Sequence, residues 1–343
     1  MPFWINIIVG LLAFVLAALG GKILIPWLHK LKFGQPIKVD FGPKWHADKQ
    51  GTPTMGGLMF IIASVLATVI GYVIYRIFNA TDVTSLTGDL EALRVMCCIV
   101  FTMLFGVIGF IDDYLKVSRN QNEGLTPIQK IVMQVVLAVL WLVVMYLLGD
   151  TSTVIDLSFV QFDISWVYYP LMVLVIVFLT NAVNLTDGID GLCGTVTFVY
   201  MLIYTLICSK LQMDTYTLWT MAVAGGCLGF LVWNLHPAKC FMGDTGSMFL
   251  GAAVTSVGLA VHQHLVLFLA ALVYIIEALS VVIQVVYFKY TKHKYGEGKR
   301  IFKMTPIHHH FEMSGFSEYK IVLTFSGFGL VMGILALLLV IFC

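Results

Sequence analysis

The sequence predicts an all-α polytopic integral membrane protein of about ten transmembrane helices, and three observations carry that prediction. Of its 343 residues, 59% are hydrophobic and 11% are charged, against about 25% charged for a soluble domain. Such a chain cannot cover a water-exposed surface, so its outer solvent must largely be lipid. Ten predominantly apolar runs reach the roughly 20 residues that a bilayer-spanning helix needs. Finally, sixteen Lys and Arg residues fall on the face reached by loops after odd-numbered runs, against three (Arg76, Arg94, Lys210) on the other. The positive-inside rule then makes the odd loops cytosolic and puts both termini outside.

Taken in order, the runs start near Phe3, Met55, Arg94, Ile128, Trp166, Cys193, Thr217, Ser247, Leu265 and Lys320. The first, residues 3–27, is long enough to span, which argues against a cleavable signal peptide. Only His262-Gln263-His264 separates the eighth from the ninth, predicting a tight hairpin. The tenth runs to Cys343 and leaves no soluble C-terminal domain. The longest polar stretches, residues 28–54 and 289–319, are too short for independent domains, and no internal repeat is visible. Residues 1–343 therefore read as one transmembrane domain. Seven cysteines, odd in number and mostly inside apolar runs, read as small packing residues and not as a disulfide framework.

The acids divide by face. Asp82, Asp89, Glu91, Asp150, Asp156, Asp163 and Asp214 are scattered in outer loops and read as solvated charges. The inner acids occupy compact motifs at helix ends. Asp112-Asp113-Tyr114-Leu115-Lys116 closes the third helix, where two adjacent carboxylates face the negative end of the dipole and repel each other. Either they mark the water boundary, or Mg²⁺ and Lys116 compensate them. In Asn184-Leu185-Thr186-Asp187-Gly188-Ile189-Asp190, the three polar residues are spaced three apart and share one face if that stretch is helical; Asp190 could equally cap the sixth helix. Gly243-Asp244-Thr245-Gly246-Ser247 precedes the eighth helix. There Asp244 is placed either to cap it or to join backbone N–H groups in holding a phosphate with its metal.

Thr305-Pro306-Ile307-His308-His309-His310-Phe311-Glu312 is an internal motif, so its histidines are no tag. Successive helical residues diverge by about 100°, which disfavours chelation of one ion by all three. Hydrogen bonds to phosphate oxygens or proton handling suit them better than zinc does. Lys49-Gln50-Gly51-Thr52-Pro53-Thr54 makes a defined turn into the second helix, where Lys49 and Thr54 could donate to an anion. Glu277 is the one acid well inside a run, a functional position by default, and it stays unassigned. Carboxylates, a divalent cation, lysines and histidines around glycine-rich turns are the parts of a phosphoryl-transfer site. At a bilayer surface, one substrate can arrive from the cytosol and the other from lipid.

Together with Thr52-Pro53-Thr54-Met55-Gly56-Gly57 and Phe241-Met242-Gly243-Asp244, these motifs resemble those of the bacterial phospho-N-acetylmuramoyl-pentapeptide transferases (translocase I). That family lies within the polyprenyl-phosphate N-acetylhexosamine-1-phosphate transferases. The resemblance runs in the family's order from Phe33-Gly34-Gln35 to the last helix; Cys193 departs where the family more often has a small, alanine-like residue. The aspartate motifs belong to the wider group, whereas the His triplet and Thr-Pro-Thr-Met-Gly-Gly are more particular to the muramoyl-pentapeptide branch.

The resemblance implies Mg²⁺-dependent reaction of UDP-MurNAc-pentapeptide with undecaprenyl phosphate, giving lipid I and UMP, at the cytosolic face of the bacterial cytoplasmic membrane. It assigns Asp244 to Mg²⁺, with Asp187 as a second ligand or a substrate contact. Asp112 and Asp113 handle the polyprenyl phosphate, one of them as base. Lys49, Asn184, Asp190, Asn234 and Phe241 hold the nucleotide end, Thr54 is a further substrate contact, and Lys116, Lys130, His308, His309 and His310 meet phosphates or sugar, with His309 also among the catalytic candidates. The partners implied are the two substrates, membrane lipid and a second copy in a homodimer, with no nucleic acid. Two alternatives remain: a UDP-GlcNAc polyprenyl-phosphate GlcNAc-1-phosphate transferase, and a secondary transporter. The transporter would require mid-span acids and inverted repeats, where only Glu277 qualifies.

Overall fold

The computed structural model describes residues 3–30, 51–78, 86–118 and 124–343. Its helices are α1 (Phe3–Lys30), α2 (Gly57–Phe78), α3 (Leu86–Ser118), α4 (Pro127–Leu147), α5 (Tyr168–Thr186), α6 (Leu192–Lys210), α7 (Asp214–Asn234), α8 (Gly243–Ala260), α9 (His264–Ala270), α10 (Leu272–Tyr295), α11 (Ile307–Glu312) and α12 (Glu318–Phe342). Among the described residues, nine of these helices are long and apolar enough to cross a membrane: α1 to α7, α10 and α12. The protein is thus an all-α polytopic membrane protein.

The eighth apolar run of the sequence behaves differently from the rest. As α8 it is buried at every residue from Thr245 to Leu259, packed mainly against α3 and α5. Helix neighbours replace lipid around it, so it can carry Thr, Ser and Gly that a lipid-facing helix would avoid. By contrast α12 and α4 leave most of their apolar side chains on the outside of the bundle. The ninth run is not one helix. It breaks at Ala271 (φ −88°, ψ 5°) into the seven-residue α9 and the long α10.

The two ends of the bundle differ chemically. At one end Arg94 donates twice to the Leu148 carbonyl (2.8 and 3.2 Å), Glu91 accepts the Thr215 N–H at 2.7 Å, and Asp150 meets His262 at 2.7 Å. These contacts join loops and helix ends after even-numbered runs. A short antiparallel hairpin, β1 (Val154–Asp156) with β2 (Gln161–Asp163), lies there too, pairing Ile155 with Phe162. Three-residue strands in a polar loop carry too little period-2 pattern to be seen in the sequence. At the other end, the described parts of the loops after odd-numbered runs come together.

Candidate active site

Asp112 and Asp113 end up in different tasks because they project from α3 about 100° apart. Asp113, almost fully buried, reaches across to the first turn of α8. Its Oδ2 accepts from the Thr245 N–H (2.9 Å) and the Thr245 hydroxyl (2.7 Å), and its Oδ1 from the Asp244 N–H (3.2 Å). The first turn of a helix has unsatisfied N–H groups and a partial positive charge, so Asp113 caps α8 from another helix. Gly243 makes room for it: its φ is +71°, and a β-carbon there would fall 2.4 Å from Asp113 Oδ2. The cap reading weighed for Asp244 is therefore incorrect, since Met242 stands at the N-cap position and no side chain of that segment caps the helix.

Relieved of capping, the Asp244 side chain turns to the lysines of α3 and α4 and to Asn184. Its Oδ2 lies 3.0 Å from Lys116 Nζ and 2.6 Å from Lys130 Nζ, and its Oδ1 accepts from Asn184 Nδ2 at 3.0 Å. The same two ammonium groups reach Asp112 Oδ2 at 2.6 and 2.9 Å, while Asp112 Oδ1 accepts the Leu125 N–H at 2.7 Å. Asn184 also donates to Ser247 Oγ at 2.7 Å. Oxygens of Asp112, Asp113 and Asp244 all lie within 4.8 Å of one another. Three carboxyl groups and two lysine ammonium groups thus meet in one cluster. Oxygen donors at this spacing suit a hard divalent cation, so the residues fit Mg²⁺.

Asp187, the C-cap residue of α5, stands outside this trio. Enclosure by the helix ends, and then the carboxylates of Asp244, Asp113 and Asp190, push its own carboxyl well above the ordinary range. Asp190 belongs to a second cluster. Its Oδ2 meets His236 Nδ1 (3.0 Å) and accepts the Ala238 N–H (3.0 Å), and its N–H donates to Glu318 Oε2 (2.9 Å). Asn234 spends its amide on the backbone, accepting from the Gly191 N–H and donating to the Cys240 carbonyl. Phe241 joins the motif before α2: its N–H donates to the Pro53 carbonyl and its carbonyl accepts from Gly56. Thr54 is buried in the same corner, against Gly243. Lys49 lies outside the described residues.

The three histidines sit on α11, each with a different partner at Nδ1. His308 meets Glu277 Oε2 at 3.1 Å, His309 meets Glu312 Oε2 at 2.5 Å, and His310 accepts the Lys303 N–H at 3.1 Å. Sequence reasoning did not join His236 and Glu318 to Asp190, nor Glu277 to His308. These partners lie 31 to 128 residues apart, a separation at which no local pattern speaks.

Comparison with known proteins fits this geometry. The model of Glycosyl transferase family 4 matches residues 95–262, and phospho-N-acetylmuramoyl-pentapeptide-transferase signature 1 matches residues 49–61. The phospho-N-acetylmuramoyl-pentapeptide-transferase of Listeria monocytogenes serotype 4b is 41% identical over 331 residues, 96% of each chain. That of Halalkalibacterium halodurans is 40% identical over 330 residues, 96% of this chain and 95% of the relative. That of Bacillus pumilus is 39% identical over 329 residues, 95% of both. With likeness of this extent and the acidic cluster assembled from matched segments, the chain belongs to the phospho-N-acetylmuramoyl-pentapeptide-transferase family and is a transferase of peptidoglycan synthesis.

Proposed function

We propose that the chain, acting as one transmembrane catalytic domain, transfers phospho-MurNAc-pentapeptide from UDP-MurNAc-pentapeptide to undecaprenyl phosphate. The products are lipid I and UMP. The observation that carries this reading is the meeting of Asp112, Asp113 and Asp244 with Lys116 and Lys130, from α3, α4 and α8, at one end of the bundle. An oxygen of the lipid phosphate attacks the sugar-linked phosphorus; the bond to UMP breaks and UMP departs with its electron pair. One phosphoanhydride replaces another, so the reaction is nearly balanced and reversible.

Asp244 would hold Mg²⁺, with Asp112 and Asp113 close enough to share it and Asp187 serving as a further ligand or a substrate contact. Bound there, Mg²⁺ would neutralise diphosphate charge in the transition state. Lys116 and Lys130, already drawn to the acidic oxygens, would turn to the phosphates and stabilise the charge that develops as the bond breaks. Asp112 and Asp113 would face the polyprenyl phosphate, one taking its proton. Asn184, fixed between Asp244 and Ser247, would orient the nucleotide diphosphate together with Asp190, Phe241, Thr54 and Lys49. Asn234 would act through the backbone it braces. His309 and His310 would meet phosphate or sugar.

With α8 running from the Asp244 end to the His262–Asp150 end as a tenth, protein-enclosed crossing, the basic-residue asymmetry supports a cytosolic site with both termini outside, in the bacterial cytoplasmic membrane; a homodimer remains part of the proposal. Exchange of radiolabelled UMP into UDP-MurNAc-pentapeptide, with undecaprenyl phosphate present, tests the function. Exchange that requires Mg²⁺ supports it. No exchange with this substrate, or exchange only with UDP-GlcNAc, refutes it.

A further inference from the structure

Glu277 is fully buried in α10, inside a stretch long and apolar enough to cross the membrane. An acid at that depth is costly and has a partner when it is kept. Its partner is His308, itself fully buried, with Nδ1 at 3.1 Å from Glu277 Oε2. With Glu277 as a carboxylate, its Oε2 accepts and the His308 proton sits on Nδ1. On the other side of the ring stands Gly188, in the turn after α5 that bears Asp187 and Asp190, next to Asn184 in the last turn of α5. A β-carbon built on Gly188 would fall 2.1 Å from His308 Nε2. The imidazole is therefore gripped between a carboxylate of α10 and the bare backbone of the α5–α6 turn.

The other two histidines are turned elsewhere, His309 to Glu312 on its own short helix and His310 to the Lys303 N–H. The buried pair also carries a stability cost. Among the described residues, Glu277 Oε1 and His308 Nε2 have no hydrogen-bond partner, and well-packed apolar residues in their place would be as stable or more so. We propose that Glu277 is a positioning residue of the transfer site. Through Nδ1 it sets the tautomer and orientation of His308, and His308 locks α11 against the Asn184–Asp190 turn. Two loops that face the substrates then keep a fixed separation. The proposal rests on the transferase reading of the site, and its test separates the two.

The full-length protein, labelled with ¹⁵N in its histidine rings, is examined by NMR alongside UMP exchange. The expected spectrum contains a ring protonated at Nδ1 and bonded to a carboxylate. Glu277→Leu removes that signature and lowers exchange roughly ten- to a hundredfold, the scale of losing an orienting partner of a histidine, with a higher KM for the nucleotide sugar. Glu277→Gln keeps an acceptor oxygen, so it shifts the resonance and recovers most of the exchange. Gly188→Ala, which pushes on the ring from the other side, perturbs the same resonance. Asp244→Asn abolishes exchange yet leaves the signature intact, so loss of the transfer chemistry and loss of the positioning are read independently. If Glu277→Leu does not fold, the other two variants decide. Wild-type spectra in Glu277→Gln and Gly188→Ala, or a folded Glu277→Leu protein with wild-type exchange and KM, would overturn the proposal.

Discussion

Gly109→Ala is the most direct way to ask whether the site depends on how closely α3 approaches α8. A β-carbon at Gly109 would lie 2.0 Å from the Asp244 carbonyl oxygen, 2.3 Å from its carbon and 2.6 Å from the Thr245 nitrogen. All three are backbone atoms inside a buried helix, so no side chain can swing away. Ordinary contact starts at 3.4 Å, and the helices must therefore part by about 1.4 Å along that line. The Asp113 bonds to Thr245, now 2.7 and 2.9 Å, then stretch past hydrogen-bonding range. The Asp244 carboxylate moves away from Asp112, Lys116 and Lys130 by a similar amount. Overpacking of this kind costs about 1–3 kcal/mol of stability, and a shift of about 1 Å in reacting groups can cost roughly 100-fold in rate. UMP exchange and thermal unfolding of purified protein measure the two effects. Exchange within about threefold of wild type in a normally folded Gly109→Ala protein would refute the claim that this contact sets the site's geometry.

Other consequences follow from the same cluster. Asp244→Asn is expected to abolish exchange while leaving a folded, extractable protein, and to remove the rise in unfolding temperature that Mg²⁺ gives the parent. That rise should reflect about 2.7 kcal/mol at a hundred times the dissociation constant; near-normal turnover, or an unchanged Mg²⁺ response, would remove Asp244 from the metal's ligands. Lys130→Met leaves three carboxylates facing one ammonium group. The variant should unfold at lower temperature than wild type without Mg²⁺ and recover much of the deficit with it, and its exchange should fall more than about tenfold. The orientation is tested at Cys343, the one exposed cysteine. A membrane-impermeant thiol reagent should label it in intact cells or spheroplasts, and labelling that needs permeabilised membranes would invert the topology.

Much of the fold was legible because the bilayer is a demanding solvent. It requires about 20 apolar residues per crossing, and the apolar runs coincide with the observed helices to within a few residues, apart from the earlier start of α3 and the division of the ninth run into α9 and α10. The acidic motifs were legible too, since an acid at the end of an apolar run is conspicuous wherever it points. What escaped was decided by neighbours. α8 resembles the other runs in sequence, yet it lies wrapped in helices. The break at Ala271 carries no Gly or Pro to announce it.

Within the site, the sequence by itself determined which residues were available: the aspartates of α3 and α8, the lysines, the Asn184–Asp190 turn and the His triplet. Only the tertiary structure decided their tasks. Local pattern left Asp244 between a helix cap and a phosphate or metal contact, but Asp113 arrives from α3 to take those N–H groups, which frees Asp244 to face Lys116, Lys130 and Asn184. Asn234 was counted among substrate contacts, and its amide proves to be occupied by backbone. Glu277 had no partner in the sequence and has His308 in the fold. The physical reason is the same in each case. A hydrogen bond or an ion pair acts over about 3 Å of space, whatever the distance along the chain, so composition and spacing can say what a residue offers but only packing decides which neighbour accepts it.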